Sequence, residues 1–199
     1  MTARRTVLAW SALALVIAIP FGVAAASPLH AFRSGPYVAA SLAGVLALGM
    51  LLVQPLLATG WLPGATLGRM RRWHRRAGAG LVVLVAIHVG GLLIASPPDA
   101  IDALLLRSPT PFSVWGVTAM WAVALTGLLV ATRGMMRLRP ALWAVIHNGL
   151  ALVVVLGTVI HAVQIEGTME TVSKWALCAV VLVVAVAAVA RTRLGLLRR

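Results

Sequence analysis

The sequence predicts an all-α, polytopic membrane protein built as a bundle of six transmembrane helices. Three observations carry this. Of the 199 residues 61% are hydrophobic and only 11% charged, with a mean hydropathy of +1.01; soluble domains carry about 25% charged residues. Six apolar stretches are long enough to cross a bilayer, which takes about 20 residues of helix. Most of the cations, 14 of 17, also fall in alternate connections. The same composition excludes a soluble globular domain and intrinsic disorder, which needs few apolar residues. A single cysteine, Cys178, excludes a disulfide framework and any Cys-based zinc or iron–sulfur site.

The stretches fall at 7–26, 37–58, 71–95, 113–132, 141–163 and 172–190 of one domain spanning 1–199. Pro and Gly punctuate the connections, at Pro63-Gly64, Ser96-Pro97-Pro98 and Pro109-Thr110-Pro111. The longest connection, 96–112, is too short for a soluble catalytic or nucleotide-binding domain. Gly78-Ala79-Gly80 lacks the third glycine and the preceding strand of a dinucleotide fingerprint. Arg4-Arg5, an apolar run and Ala24-Ala25-Ala26-Ser27 also fit a cleavable signal peptide. Because the run fills a whole crossing, we read it as an uncleaved first span.

Placing the N-terminus in the cytoplasm puts Arg4, Arg5, Arg69, Arg71, Arg72, Arg75, Arg76, Arg133, Arg137, Arg139, Arg191, Arg193, Arg198 and Arg199 inside. These are 14 of the 17 cations, leaving Arg33, Arg107 and Lys174 outside. Cation bias sets orientation, so both termini are expected in the cytoplasm of a multi-pass inner-membrane protein. All four acids, Asp99, Asp102, Glu166 and Glu170, then lie outside. The net charge of +13 is therefore mostly a topology signal and predicts the lipid bilayer, not nucleic acid, as partner.

Four of the five histidines lie in spans: His74 and His88 on the third, His147 and His161 on the fifth. Each pair is 14 residues apart, which is about 40° short of four helical turns, so both members share a face. They stand about 21 Å apart along the axis, one near each side of a ~30 Å hydrocarbon layer. Spans three and five run in the same direction. His74 and His147 therefore share the inner depth, and His88 and His161 the outer.

Two imidazoles from opposite sides are what a six-coordinate haem iron needs, whereas tetrahedral zinc needs more protein ligands at each depth. The expected cofactors are two haem b groups, stacked between helices 3 and 5. A helix–helix hydrogen bond is the ordinary role of a lone intramembrane histidine, and four of them also suit a haem-free proton pathway or transporter. Neither requires matched spacing on two parallel helices. Gly78 and Gly157, one turn inward of His74 and His161, are expected to open space for a flat macrocycle. Leu81, Val85, Val154 and Thr158 would fill the gap between levels, while Gly44 reads as helix packing. His30 reads as a surface residue, and Cys178 as a small apolar one. Trp61, Trp73, Trp115 and Trp175 read as an aromatic belt. Arg71, Arg72, Arg75, Arg76 and Arg139 are candidate haem-propionate contacts, since Arg pairs with carboxylates, but topology alone accounts for them equally well.

The motifs Arg72-Trp73-His74-Arg75-Arg76…His88 and Trp143-Ala144-Val145-Ile146-His147…His161 resemble the ferric-reductase-like transmembrane domain. That family includes ferric reductases and NADPH oxidases. The resemblance covers the whole membrane core. It implies a di-haem b membrane cytochrome, the haem subunit of a ferric-reductase-like oxidoreductase. Electrons would pass from a cytoplasmic-side donor to an acceptor on the outer face. Ending at Arg199, the sequence carries no FAD or NAD domain. It would then not use NADH or NADPH alone, and a separate cytoplasmic flavoprotein or a quinol would be the donor. A haem subunit of a periplasmic reductase is similar in length but does not keep all four histidines. A quinol-linked cytochrome b uses similar pairs, on its second and fourth spans. The inner connections 59–73 and 133–140, with Arg69 and Arg137, are the expected donor-docking rim.

Overall fold

Prolines begin four of the helices. Pro36, Pro97, Pro111 and Pro140 each occupy a first-turn position, where the missing N–H costs nothing and φ is already helical. The computed structural model describes residues 3–197, with side chains as far as Arg191. The side chain of Arg193, and Arg198 and Arg199 entirely, lie outside the described residues.

The order is α1 (Ala3–Ala25), a 3₁₀ turn (Pro28–Phe32), α2 (Gly35–Thr59), α3 (Leu67–Ala95), α4 (Pro97–Leu104), α5 (Pro111–Ala131), α6 (Arg133–Met136), α7 (Pro140–Gln164) and α8 (Thr171–Leu197). No strand occurs among the described residues. Six of these helices, α1, α2, α3, α5, α7 and α8, are long and apolar enough to cross a membrane. They overlie the six apolar stretches of the sequence.

The ends differ from expectation where capping chemistry extends a helix. Thr66 caps α3, its hydroxyl accepting from the Arg69 amide at 3.4 Å. Arg69 and Arg71 are therefore on the first turns of α3 and not in a loop. Gly60, at φ 70°, ends α2 in the left-handed region that glycine adopts without strain. The carboxylate of Glu170 accepts from the amides of Val172 and Ser173 at 2.7 and 2.8 Å, opening α8. Those two bonds hold its carboxyl below the usual carboxylate range. His30 is more than a surface residue: its Nε2 meets the Ala24 carbonyl at 2.8 Å and closes the end of α1.

Apolar side chains point both ways, as lipid requires. Leu48, Leu177, Cys178 and Val181 are buried at the centre, while Leu15, Ile19, Val83, Ile87, Trp121, Leu128, Val183 and Val186 are exposed. Lipid tails are as apolar as the core, so helices associate through close packing of small residues. A Cβ on Gly91 would sit 2.9 Å from the Pro36 carbonyl oxygen, and one on Gly157 2.9 Å from that of Trp115. These contacts lock α3 to α2 and α7 to α5. Gly157 therefore serves helix packing, not an opening beside His161. The two histidine helices lean on α2 and α5 respectively rather than on each other, and α8 closes the bundle against α2 and α7.

Candidate functional site

The four membrane histidines come together as two pairs. The His74 and His147 ring centres are 6.2 Å apart, with the planes at 74°. Those of His88 and His161 are 6.4 Å apart, at 80°. Ring atoms in contact at van der Waals distance could sit closer. Two imidazoles ligating one metal ion from opposite sides, with metal–nitrogen bonds of about 2.0–2.1 Å, place their ring centres a little over ~6 Å apart. Both pairs hold that separation.

Three of the four imidazoles are anchored by a neighbouring helix. His74 Nδ1 donates to the Gln54 carbonyl at 3.1 Å, and His88 Nδ1 to the Ala40 carbonyl at 2.8 Å, both on α2. His161 Nδ1 donates to the Phe112 carbonyl on α5 at 2.8 Å. Ala40 and Gln54 are themselves 14 residues apart, so α2 presents carbonyls at the period at which α3 presents histidines. A carbonyl can only accept, so each bond fixes the proton on Nδ1 and leaves the Nε2 lone pair free, the tautomer a metal-ligating histidine needs.

Glycines make these bonds possible. A Cβ on Gly44 would lie 2.9 Å from His88 Nδ1, and one on Gly116 2.7 Å from His161 Nδ1. Gly44 is thus more than helix packing, and Gly116 is a functional position the sequence reading missed. Both sit four residues after the carbonyl in question, one turn along the same face. Gly78, by contrast, faces the Gln54 side chain, whose amide nitrogen would be 3.8 Å from a Cβ there.

His147 differs. Its Nδ1 is buried with no partner, as are Gln54 Nε2 and Trp143 Nε1. The Trp143 ring stacks on His147 at 4.8 Å and 10°, and the Arg133 guanidinium lies 4.1 Å over Trp143. Arg71, Arg72, Arg75, Arg76 and Arg139 are all exposed. Arg133, exposed as they are, is the cation whose guanidinium stacks on the Trp143 ring beside His147.

At the outer pair lies a cavity of about 590 Å³. His88 and His161 line it together with Leu81, Val85, Val154 and Thr158, the four residues expected between the two levels. Among the described residues no group of three or more His, Cys, Asp or Glu converges to hold a metal ion. The arrangement offers two-point ligation at two depths.

Residues 43–158 match the family model described as ferric reductase like transmembrane component. The chain belongs to that family. The match takes in His74, His88 and His147 and stops three residues short of His161. No curated protein and no solved structure matches the chain. Within this ferric-reductase-like component, α2 and α5 act as supports, α3 and α7 carry the paired histidines, and both classes of helix lie inside the matched segment or at its edge.

Proposed function

We propose that this ferric-reductase-like component is a di-haem b cytochrome, carrying electrons from a cytoplasmic-side donor to an acceptor on the outer face. One observation carries the reading: two imidazole pairs, at two depths, each spaced for a shared metal ion. Haem, when bound, supplies a one-electron iron couple with four porphyrin ligands already in place. The residues supply the rest. His74 with His147 would hold the inner group and His88 with His161 the outer. The Gln54, Ala40 and Phe112 carbonyls orient three of the rings.

The separation of α3 from α7 supports the fit, since a planar group needs a slot between its two ligand helices. The cavity beside His88 and His161 supports it again, falling within the roughly 300–1,000 Å³ of ligand sites. The buried, partnerless Trp143 and Gln54 donors beside the inner pair would find acceptors in haem carboxylates. Protein purified in detergent from haem-replete cells should contain two b haems per chain, with a low-spin spectrum that sharpens on reduction. A colourless preparation would overturn the reading.

A separate flavoprotein or quinol is the proposed donor. Arg69, Arg71 and Arg72 at the start of α3, with Arg133, Arg137 and Arg139 around α6, make a basic inner rim for an acidic partner to approach. The exposed ring of arginines also suits anionic lipid, worth about 1 kcal/mol per cation. The orientation rests on the cation bias. Reporter fusions after Arg139 and after Glu166 should report the cytoplasm and the outer side respectively; the same side for both is incompatible with this topology.

A further inference from the structure

Lys174 is out of character for its place. It lies in the first turn of α8, is only 6% exposed, and is the one buried Lys or Arg among the described residues. Burying an ammonium is costly unless an acceptor or a counter-charge meets it. Its Nζ donates to the Ile165 carbonyl at 2.7 Å, one turn beyond His161. An ammonium has three donors, and that bond uses one.

The remaining surroundings are those of the outer cavity. Lys174 is the only Lys or Arg that lines it. The cavity wall around His88 and His161 is mostly apolar, Ser41 and Thr158 apart, and most of its polar residues gather toward the outer loops. Ser108, Thr110 and Ser113 form a hydroxyl cluster there, Ser113 Oγ bonded to Thr110 and 3.2 Å from Ser108. Two carboxylates share the lining, Asp99 and Glu166. Asp99 accepts from Ser96 Oγ at 2.6 Å. Glu170, one turn before Lys174, spends its oxygens on the helix amides while its charge still attracts the ammonium.

A haem carries two carboxylates that cannot stay in an apolar slot unpaired. Were His88 and His161 to hold it, those carboxylates would need the polar end of the cavity. We propose that Lys174 is the cation that holds a carboxylate of the outer haem, an inference that rests on the di-haem reading above. An ammonium there also favours the electron-rich reduced state. Lys174 is thus a positioning residue that sets both the seat and the potential of the outer site.

The test is a potentiometric titration of purified protein, following the two haem waves, with resonance Raman spectra of the carboxylate bending bands. Lys174→Met should lower the midpoint of the outer wave, by about tenfold in its reduction equilibrium, ~59 mV for one electron. The inner wave should stay. The outer wave is the one that His88→Ala removes. Lys174→Gln removes the charge and retains an N–H donor on a stem one bond shorter, so it should reproduce the shift even if the methionine variant assembles poorly. Lys174→Arg should restore most of it. The carboxylate bending band should move in the two uncharged variants. Unchanged waves and bands in both, or equal shifts of both waves, overturn the assignment while leaving the di-haem reading intact. A wild-type chain without haem removes that reading before any variant is made, and this inference with it.

Discussion

Replacing His88 by Ala should remove one haem per chain and leave the other. His88 and His161 face each other at 6.4 Å, and His74 and His147 form their own pair on the inner side. The two levels are separated by about 21 Å along the helices, so loss of one ligand at the outer level does not touch the inner ligands. His161→Ala should remove the same haem, leaving the same spectrum behind. Gly116→Ala should reach part of that endpoint without touching a ligand. Its new methyl would fall 2.7 Å from His161 Nδ1 and push the ring off the Phe112 carbonyl. Loss of such a supporting bond costs about 10–100-fold in metal affinity. Haem content by alkaline pyridine spectra, alongside size exclusion to verify folding, reads all three. Different residual spectra in the two alanine variants would mean that the histidines pair otherwise.

The part of this site that was legible in the sequence is the part that depends on one helix at a time. Fourteen-residue spacing puts His74 and His88 on one face whatever surrounds them, and parallel spans then bring like depths together. Span number and the segregation of arginines follow from lipid in the same way. Supports that act between helices were not legible. Gly44 reads as ordinary packing until α2 lies against α3 and its missing side chain is seen to admit the His88 ring. Gly157 looks like an opening and is instead a close contact with α5.

The arginines show the same limit. Arg72, Arg75 and Arg76 flank His74 in sequence, yet they point away from it, because adjacent residues lie on different sides of a helix. Arg133, exposed as well and 14 residues before His147, stacks on the Trp143 ring that in turn stacks on His147. Lys174 counted as one of three outer cations in the sequence, and nothing in its neighbours marked it as buried. One signal was available: Ala40 and Gln54 repeat the histidine period on the preceding span, but carbonyls carry no letter code, so only the fold brings it out.

Electron transfer across the membrane should depend wholly on the outer site. A single redox centre at mid-membrane leaves much of the ~30 Å layer uncrossed on either side, whereas centres about 21 Å apart along the normal put one near each surface. The porphyrin edges would approach more closely than the irons, so no moving part is needed. Two centres so placed would suit transport across the layer better than haem storage, which needs only one site. That placement does not set direction. The proposed direction rests on the basic rim of α3 and α6, which would receive an acidic donor. Asp99, Asp102, Glu166 and Glu170 at the other face add a weak attraction for cationic acceptors. In vesicles of known orientation, haem reduced from the cytoplasmic side should pass electrons to an impermeant acceptor on the opposite side. His88→Ala should abolish that transfer while the inner haem is still reduced at the wild-type rate. Its persistence without the outer haem would refute the two-step conduit, because the remaining centre would then have to reach an acceptor through the whole outer half of the bundle.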